Sequence, residues 1–170
     1  DCKECSEGRI GLVEGAESNH SCIKWDRGKY KADEDSCLEC EPGKISGEAS
    51  EECIECPEGK LGDLYGIECI NCVSGKYSDL RGLTYEDMCK DCDKGKYSNI
   101  SGATSINVCK KCSVGKYNTD KGLTSIELCK ECKEGKYKNL NDNPGDVCKF
   151  CPSGKYSLKG SSECIICPAG

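Results

Sequence analysis

Apolar side chains recur along this chain inside one short frame. A glycine is followed by a basic residue and then an apolar one: Gly28-Lys-Tyr30, Gly43-Lys-Ile45, Gly59-Lys-Leu61, Gly75-Lys-Tyr77, Gly95-Lys-Tyr97, Gly115-Lys-Tyr117, Gly135-Lys-Tyr137 and Gly154-Lys-Tyr156. Gly8-Arg-Ile10 opens the series. This alternation predicts a short strand, with the basic residue on a wet face and the apolar one on a covered face. A second glycine follows at 47, 66, 82, 102, 122, 145 or 160 and predicts a turn. An apolar step such as Ile106-Asn-Val108 or Ile126-Glu-Leu128 then leads into the next cysteine and predicts the return strand. No segment sustains a helical period. The pattern therefore predicts an all-β chain, a linear stack of short irregular hairpins.

Each frame starts three residues after the second position of a Cys-x-x-Cys head. Heads begin at 2, 37, 53, 69, 89, 109, 129, 148 and 164, and Cys22-Ile-Lys-Trp25 fills a tenth place with tryptophan where a cysteine belongs. The repeats make one continuous array over residues 1–170, most regular between 69 and 148. Heads at 89, 109, 129 and 148 read Cys-Lys, while those at 37, 53, 69 and 164 read Cys-Ile or Cys-Leu. Units too small to bury a core alone must stack, which predicts an elongated rod stabilised between nearest neighbours. The ending Cys167-Pro-Ala-Gly170 opens a further loop, so we expect a segment of a longer polypeptide.

Composition changes the picture in one respect: 19 of 170 residues are cysteine, against one Phe, one Trp and one Met. That apolar supply cannot fill a conventional core, so covalent or metal cross-links must replace it. Thirty acidic and 24 basic residues give a net charge of −6 without a basic block, which argues against a nucleic-acid partner. No stretch approaches the roughly 18 apolar residues of a membrane span. Paired Cys-x-x-Cys heads are a zinc pattern. Against zinc, no head carries glycine directly after its second cysteine, the cysteine tally is odd, and the recurring glycine and tyrosine have no ligand role. Disulfides, with no cofactor, are the reading adopted. They imply an oxidising compartment, hence an extracellular or cell-surface protein. Asn19-His-Ser and Asn99-Ile-Ser are N-glycosylation candidates in that setting.

The run Cys-x-x-Cys-x-x-Gly-Lys-Tyr-Ser, at Cys69 to Ser78 and Cys89 to Ser98, resembles the ephrin-receptor-like cysteine-rich repeat. The proline variants Cys56-Pro57, Cys151-Pro152 and Cys167-Pro168 strengthen the likeness, which covers essentially the whole chain. The run is also similar to the first loop of tumour necrosis factor receptor cysteine-rich modules. The resemblance implies a fold and a compartment, not a ligand; such arrays occur in large surface proteins of protists and in animal receptors.

Two connectivities are open. Heads could pair two by two, as in Cys69–Cys89 with Cys72–Cys92. Alternatively, the second cysteine of each head closes forward onto the first of the next, the arrangement that the similar receptor loop implies. Its bonds would be Cys5–Cys22, Cys40–Cys53, Cys56–Cys69, Cys72–Cys89, Cys92–Cys109, Cys112–Cys129, Cys132–Cys148 and Cys151–Cys164. Cys2, Cys37 and Cys167 then remain as unpaired or inter-chain candidates. Trp25 is a packing substitute for the lost staple, a device that frees Cys37 for another chain, or a one-base change from a cysteine codon.

Little else suggests chemistry. His20 is the only histidine, so no acid–base triad has a choice of base, and we expect no enzyme. Asp33-Glu34-Asp35 lacks the ligand spacing of a calcium loop and reads as a solvated acidic turn. The lysine after each glycine forms a row, either a wet face that discourages edge pairing or a ladder toward the acids of a neighbouring chain. The expected function is an extracellular structural protein in a surface filament, hair, coat or stalk, self-associating with other copies. A receptor or adhesin ectodomain that holds a protein ligand is the alternative.

Overall fold

The computed structural model describes residues 9–11, 22–33 and 36–168. Among the described residues the chain forms nine separate two-stranded antiparallel sheets. Arg9–Gly11 pairs with Cys22–Lys24, and Lys29–Asp33 with Ser36–Glu39. Lys44–Ile45 pairs with Ile54–Glu55, Lys60–Gly62 with Cys69–Asn71, and Lys76–Tyr77 with Lys90–Asp91. The series continues with Lys96–Tyr97 on Lys110–Lys111, Lys116–Tyr117 on Lys130–Glu131, Lys136–Tyr137 on Lys149–Phe150, and Lys155–Tyr156 on Ile165–Ile166. The protein is a small disulfide-rich all-β repeat array.

The outgoing strands are the expected Lys-Tyr steps, but the return strand is not where the apolar pattern put it. In six of the nine sheets it lies inside the next head, on the two residues between the cysteines; in Cys22–Lys24, Ser36–Glu39 and Cys69–Asn71 it also takes in the head's first cysteine. Ile106–Val108 and Ile126–Leu128 instead form single 3-10 turns, as does Glu86–Met88. In each, the following cysteine N–H donates to a carbonyl three residues back, at 3.0 to 3.1 Å, so the preceding apolar residues curl and never pair across.

The head glycine makes this geometry. At Glu41-Pro-Gly-Lys44 the Lys44 N–H donates to the Glu41 carbonyl at 3.1 Å, and Gly43 sits at φ +85°. That is a type II turn, with proline second and glycine third. The Gly43 carbonyl then accepts the Cys56 N–H at 2.9 Å, closing the hairpin at the far head.

Burial also departs from the alternation. Tyr77, Tyr97, Tyr117 and Tyr137 are half-buried, as are the lysines before them. The covered position is the next one: Ser46, Ser78, Ser98, Asn118, Lys138 and Ser157 are the buried polar residues. Cystine sulfur makes up much of the remaining interior, with Cys56, Cys72, Cys92 and Cys132 fully buried and Leu61, Leu83 and Leu123 beside them in sequence or space. In these loops the small polar residue is covered and the tyrosine before it stays partly exposed.

Contacts divide the chain into two units, Asp1–Cys72 with Ser78–Cys89, and Val73–Tyr77 with Lys90–Gly170. In the first, Leu61, Leu83, Cys72 and Cys89 form an apolar cluster. In the second, Leu123, Ala103 and buried cysteines take the equivalent places.

Candidate functional site

Among the described residues seven disulfides join Cys40–Cys53, Cys56–Cys69, Cys72–Cys89, Cys92–Cys109, Cys112–Cys129, Cys132–Cys148 and Cys151–Cys164. Each runs from the second cysteine of one head to the first of the next, with Cα–Cα separations from 5.5 to 6.0 Å. Cys2, Cys5, Asn19, His20, Glu34 and Asp35 lie outside the described residues, and with them the Cys5–Cys22 pair. Cys37 is unpaired and half-buried; Cys167 is unpaired and exposed. Asp33 is exposed and accepts a hydrogen bond from the Ser36 hydroxyl at 3.3 Å. Asn99 is exposed.

Trp25 occupies the missing cysteine's slot as packing. It is 4 % exposed, its indole N–H donates to the Ser50 carbonyl at 3.0 Å, and its carbonyl accepts the Ala49 N–H at 3.2 Å. The hairpin it opens has the longest strands among the described residues, five residues against four, where the other sheets have two or three. Indole burial and a longer ladder take over what the staple does elsewhere.

The repeated surfaces meet through the backbone. Call a loop the stretch from the second place of one head to the first of the next. The head glycine N–H donates to the carbonyl of the covered residue one loop on: Gly59 to Ser78 at 3.0 Å, Gly75 to Ser98 at 2.8 Å, Gly115 to Lys138 at 2.8 Å and Gly135 to Ser157 at 3.0 Å. Parallel bridges add Leu61 to Leu83, Tyr77 to Ala103 and Tyr97 to Leu123. Several head glycines, Gly43, Gly75 and Gly115 among them, also abut the turn two loops on. A Cβ on Gly43 would collide with the Gly82 carbonyl oxygen, and one on Gly115 with that of Gly160. Stability is therefore not confined to nearest neighbours, because the missing side chain lets the next-but-one loop touch.

The turn that receives these contacts needs a left-handed residue, usually glycine, as at Gly82 with φ +64°. In the loop from Cys40 to Cys53 it is Ala49, at φ +57°, and not the nearby Gly47. The parallel bridge fixes the equivalence, since Tyr30 meets Ser50 just after Ala49, as Leu61 meets Leu83 just after Gly82. Gly145 likewise lacks a positive φ. There the loop is enlarged before the turn, and the covered Lys138 fills it. Its ammonium donates to the Pro144 and Asp146 carbonyls at 2.6 and 2.8 Å. Burial pushes its pKa down, against the pull of Asp146 and Asp142. Asp142, its side chain 4 % exposed, accepts from the Lys149 ammonium and from the Asn139 N–H. The Lys149 hydrogen bond is the main cause holding its carboxyl below the usual range. No position-by-position motif announced Lys138; the only signal was that it interrupts the small polar series after tyrosine.

The lysine row is partly neutralised within the chain. Lys76 pairs with Asp91 at 2.9 Å across its hairpin, and Lys116 with Glu131 at 3.8 Å. Lys136 lies 4.2 Å from the Phe150 ring centroid. Glu131 also meets Lys159 at 3.1 Å, and this hydrogen bond is the largest cause lowering its pKa.

These features define a class: a cysteine-rich repeat protein whose loops are stapled by sulfur and registered by backbone hydrogen bonds. Fourteen sulfurs in disulfides are the chemistry of an oxidising, extracytoplasmic setting. No protein-family model matches the chain, and no curated protein matches it at a significant level. Among the described residues no helix is long and apolar enough to cross a membrane.

Proposed function

We propose that this chain is a non-enzymatic structural component of an extracellular assembly, a surface filament, hair, coat or stalk, in which copies associate with one another. The observation that supports it most is the use of the head motif. In loop after loop its cysteine, glycine and following residues are committed to holding adjacent loops. Such a chain transmits force through covalent staples and backbone hydrogen bonds and depends little on its exposed side chains. Imaging of purified, oxidised protein tests this reading: filaments or ordered fibres support it, and dispersed single molecules at high concentration refute it.

A second reading, a receptor or adhesin ectodomain, has one observation in its favour. Leu64 and Tyr65 protrude at a loop tip, 89 % and 75 % exposed, beside a concavity with Asp26, Arg27 and Glu39. Aromatic and apolar groups displayed with charges at a rim suit a protein ligand. A monodisperse monomer that binds a surface protein, and loses it on Leu64→Ser with Tyr65→Ser, would favour this alternative.

A further inference from the structure

The residue facing the row lysine across each hairpin differs from loop to loop. Lys29 faces Glu39, Lys44 faces Glu55, Lys60 faces Asn71, Lys76 faces Asp91 and Lys116 faces Glu131. Lys136 faces Phe150 and Lys155 faces Ile166. Only Lys96 faces another lysine, Lys111. Like charges directly opposite on paired strands are destabilising. Arg9 opposite Lys24 is the other cationic pair, and Arg9 has a further partner.

The Lys96–Lys111 pair lies in a shallow concavity of about 460 Å3, completed by Lys94, Lys121, Asp93 and the Pro144-Gly145 turn. Asp93 is held near Lys121 at 3.9 Å, leaving four cations against one carboxylate. This surplus sits on a chain whose net charge is −6. An open, basic depression with no aromatic platform does not suit nucleobases, which stack. It suits a linear ligand carrying repeated strong acids.

We propose that this concavity, centred on Lys96 and Lys111, is a binding site for a sulfated polysaccharide. The sulfate groups bridge the two opposed ammonium groups and so remove the repulsion between them. The choice of sulfate ester rests on the extracellular reading above. The binding itself does not, because it can be measured whether or not the chain assembles into filaments.

The test is calorimetric titration and thermal unfolding of the oxidised chain with a highly sulfated heparin-type oligosaccharide. Its desulfated counterpart, inorganic sulfate and a single-stranded oligonucleotide of equal charge serve as comparison probes. Binding and a rise in Tm are expected with the sulfated oligosaccharide only, weakening steeply with salt. Lys111→Glu copies the Lys116–Glu131 arrangement and so keeps the fold. It is expected to raise Tm without ligand and to weaken binding by about tenfold or more, one decade of affinity being about 1.4 kcal/mol. Lys94→Gln with Lys121→Gln, in case Lys111→Glu disturbs the hairpin, is expected to weaken binding by about fivefold. Lys60→Glu makes the same charge change elsewhere and is expected to leave affinity within about twofold, as for a surface charge outside the site. Unchanged affinity in Lys111→Glu and the double variant, equal loss in Lys60→Glu, or equal binding of the oligonucleotide would overturn the proposal.

Discussion

Gly115 and Gly135 occupy the same position of the repeat, at φ +72° and +74°, yet they differ in surroundings. A Cβ on Gly115 would overlap the Gly160 carbonyl oxygen and sit 2.6 Å from its carbon, whereas one on Gly135 would meet nothing within 4 Å. Gly135→Ala therefore incurs only the left-handed backbone term, about 1 to 2 kcal/mol. Gly115→Ala incurs that term and overpacking of about 1 to 3 kcal/mol. Forcing the loops apart also weakens the Gly115 bond to the Lys138 carbonyl, worth about 0.5 to 1.5 kcal/mol. The expected losses are about 2.5 to 6.5 kcal/mol for Gly115→Ala against about 1 to 2 for Gly135→Ala. Urea unfolding of the oxidised variants measures both. Hydrogen exchange should show the Gly115 and Gly160 amides, the latter donating to the Cys132 carbonyl at 2.8 Å, opening in the first variant alone. Equal losses in the two variants would refute the claim that loops two apart are in contact.

Four further outcomes follow from the described contacts. Trp25→Ala should lose about 3 to 5 kcal/mol in urea unfolding, the range for a large buried aromatic, whereas Cys37→Ser should change stability by about 0.5 kcal/mol or less. Ala49→Gly should stabilise by up to about 1 kcal/mol, since relief of left-handed strain exceeds the added chain entropy; no change would mean the turn carries no strain. Lys138→Met should lose about 2 kcal/mol, because the Pro144 and Asp146 carbonyls lose the ammonium that donates to them. The depressed carboxyl of Asp142 contributes stability that is complete above the ordinary aspartate value and is lost as pH falls through its lower folded value. Acid unfolding of Asp142→Asn, measured against wild type, should show a shallower loss over that window.

The repeat frame, the hairpins and the turn glycines were legible because each rests on local rules: a positive φ, a two-residue alternation, a fixed head. The return strand was misplaced because Ile-Asn-Val and Ile-Glu-Leu carry strand-like residues but lie where the chain must curl to bring the cysteine home. Tyrosine looked like the covered residue because apolarity is the usual guide to burial. Here the covered place after it is taken by serine, asparagine, a threaded lysine or, after Leu61, by glycine. Ala49 carries no sign of its left-handed backbone in the sequence, because Gly47, two residues away, offers the expected residue type. The reach of Gly43 and Gly115 to a turn two loops on has no sequence signature, since any glycine at positive φ looks alike until its neighbours are known.

Loops spanning 17 residues between paired cysteines differ from those spanning 13 chiefly by the 3-10 turn before the closing sulfur. Tyr85, Met88, Ile106 and Leu128 around these turns are exposed. The side chains of these turns can thus be exchanged without touching the staples, whereas their carbonyls, which accept the cysteine N–H groups and at Leu128 the Asn118 amide, belong to the bonding grid. New side chains placed at these exposed positions would recur once in each such loop, with the stapled frame beneath them left alone.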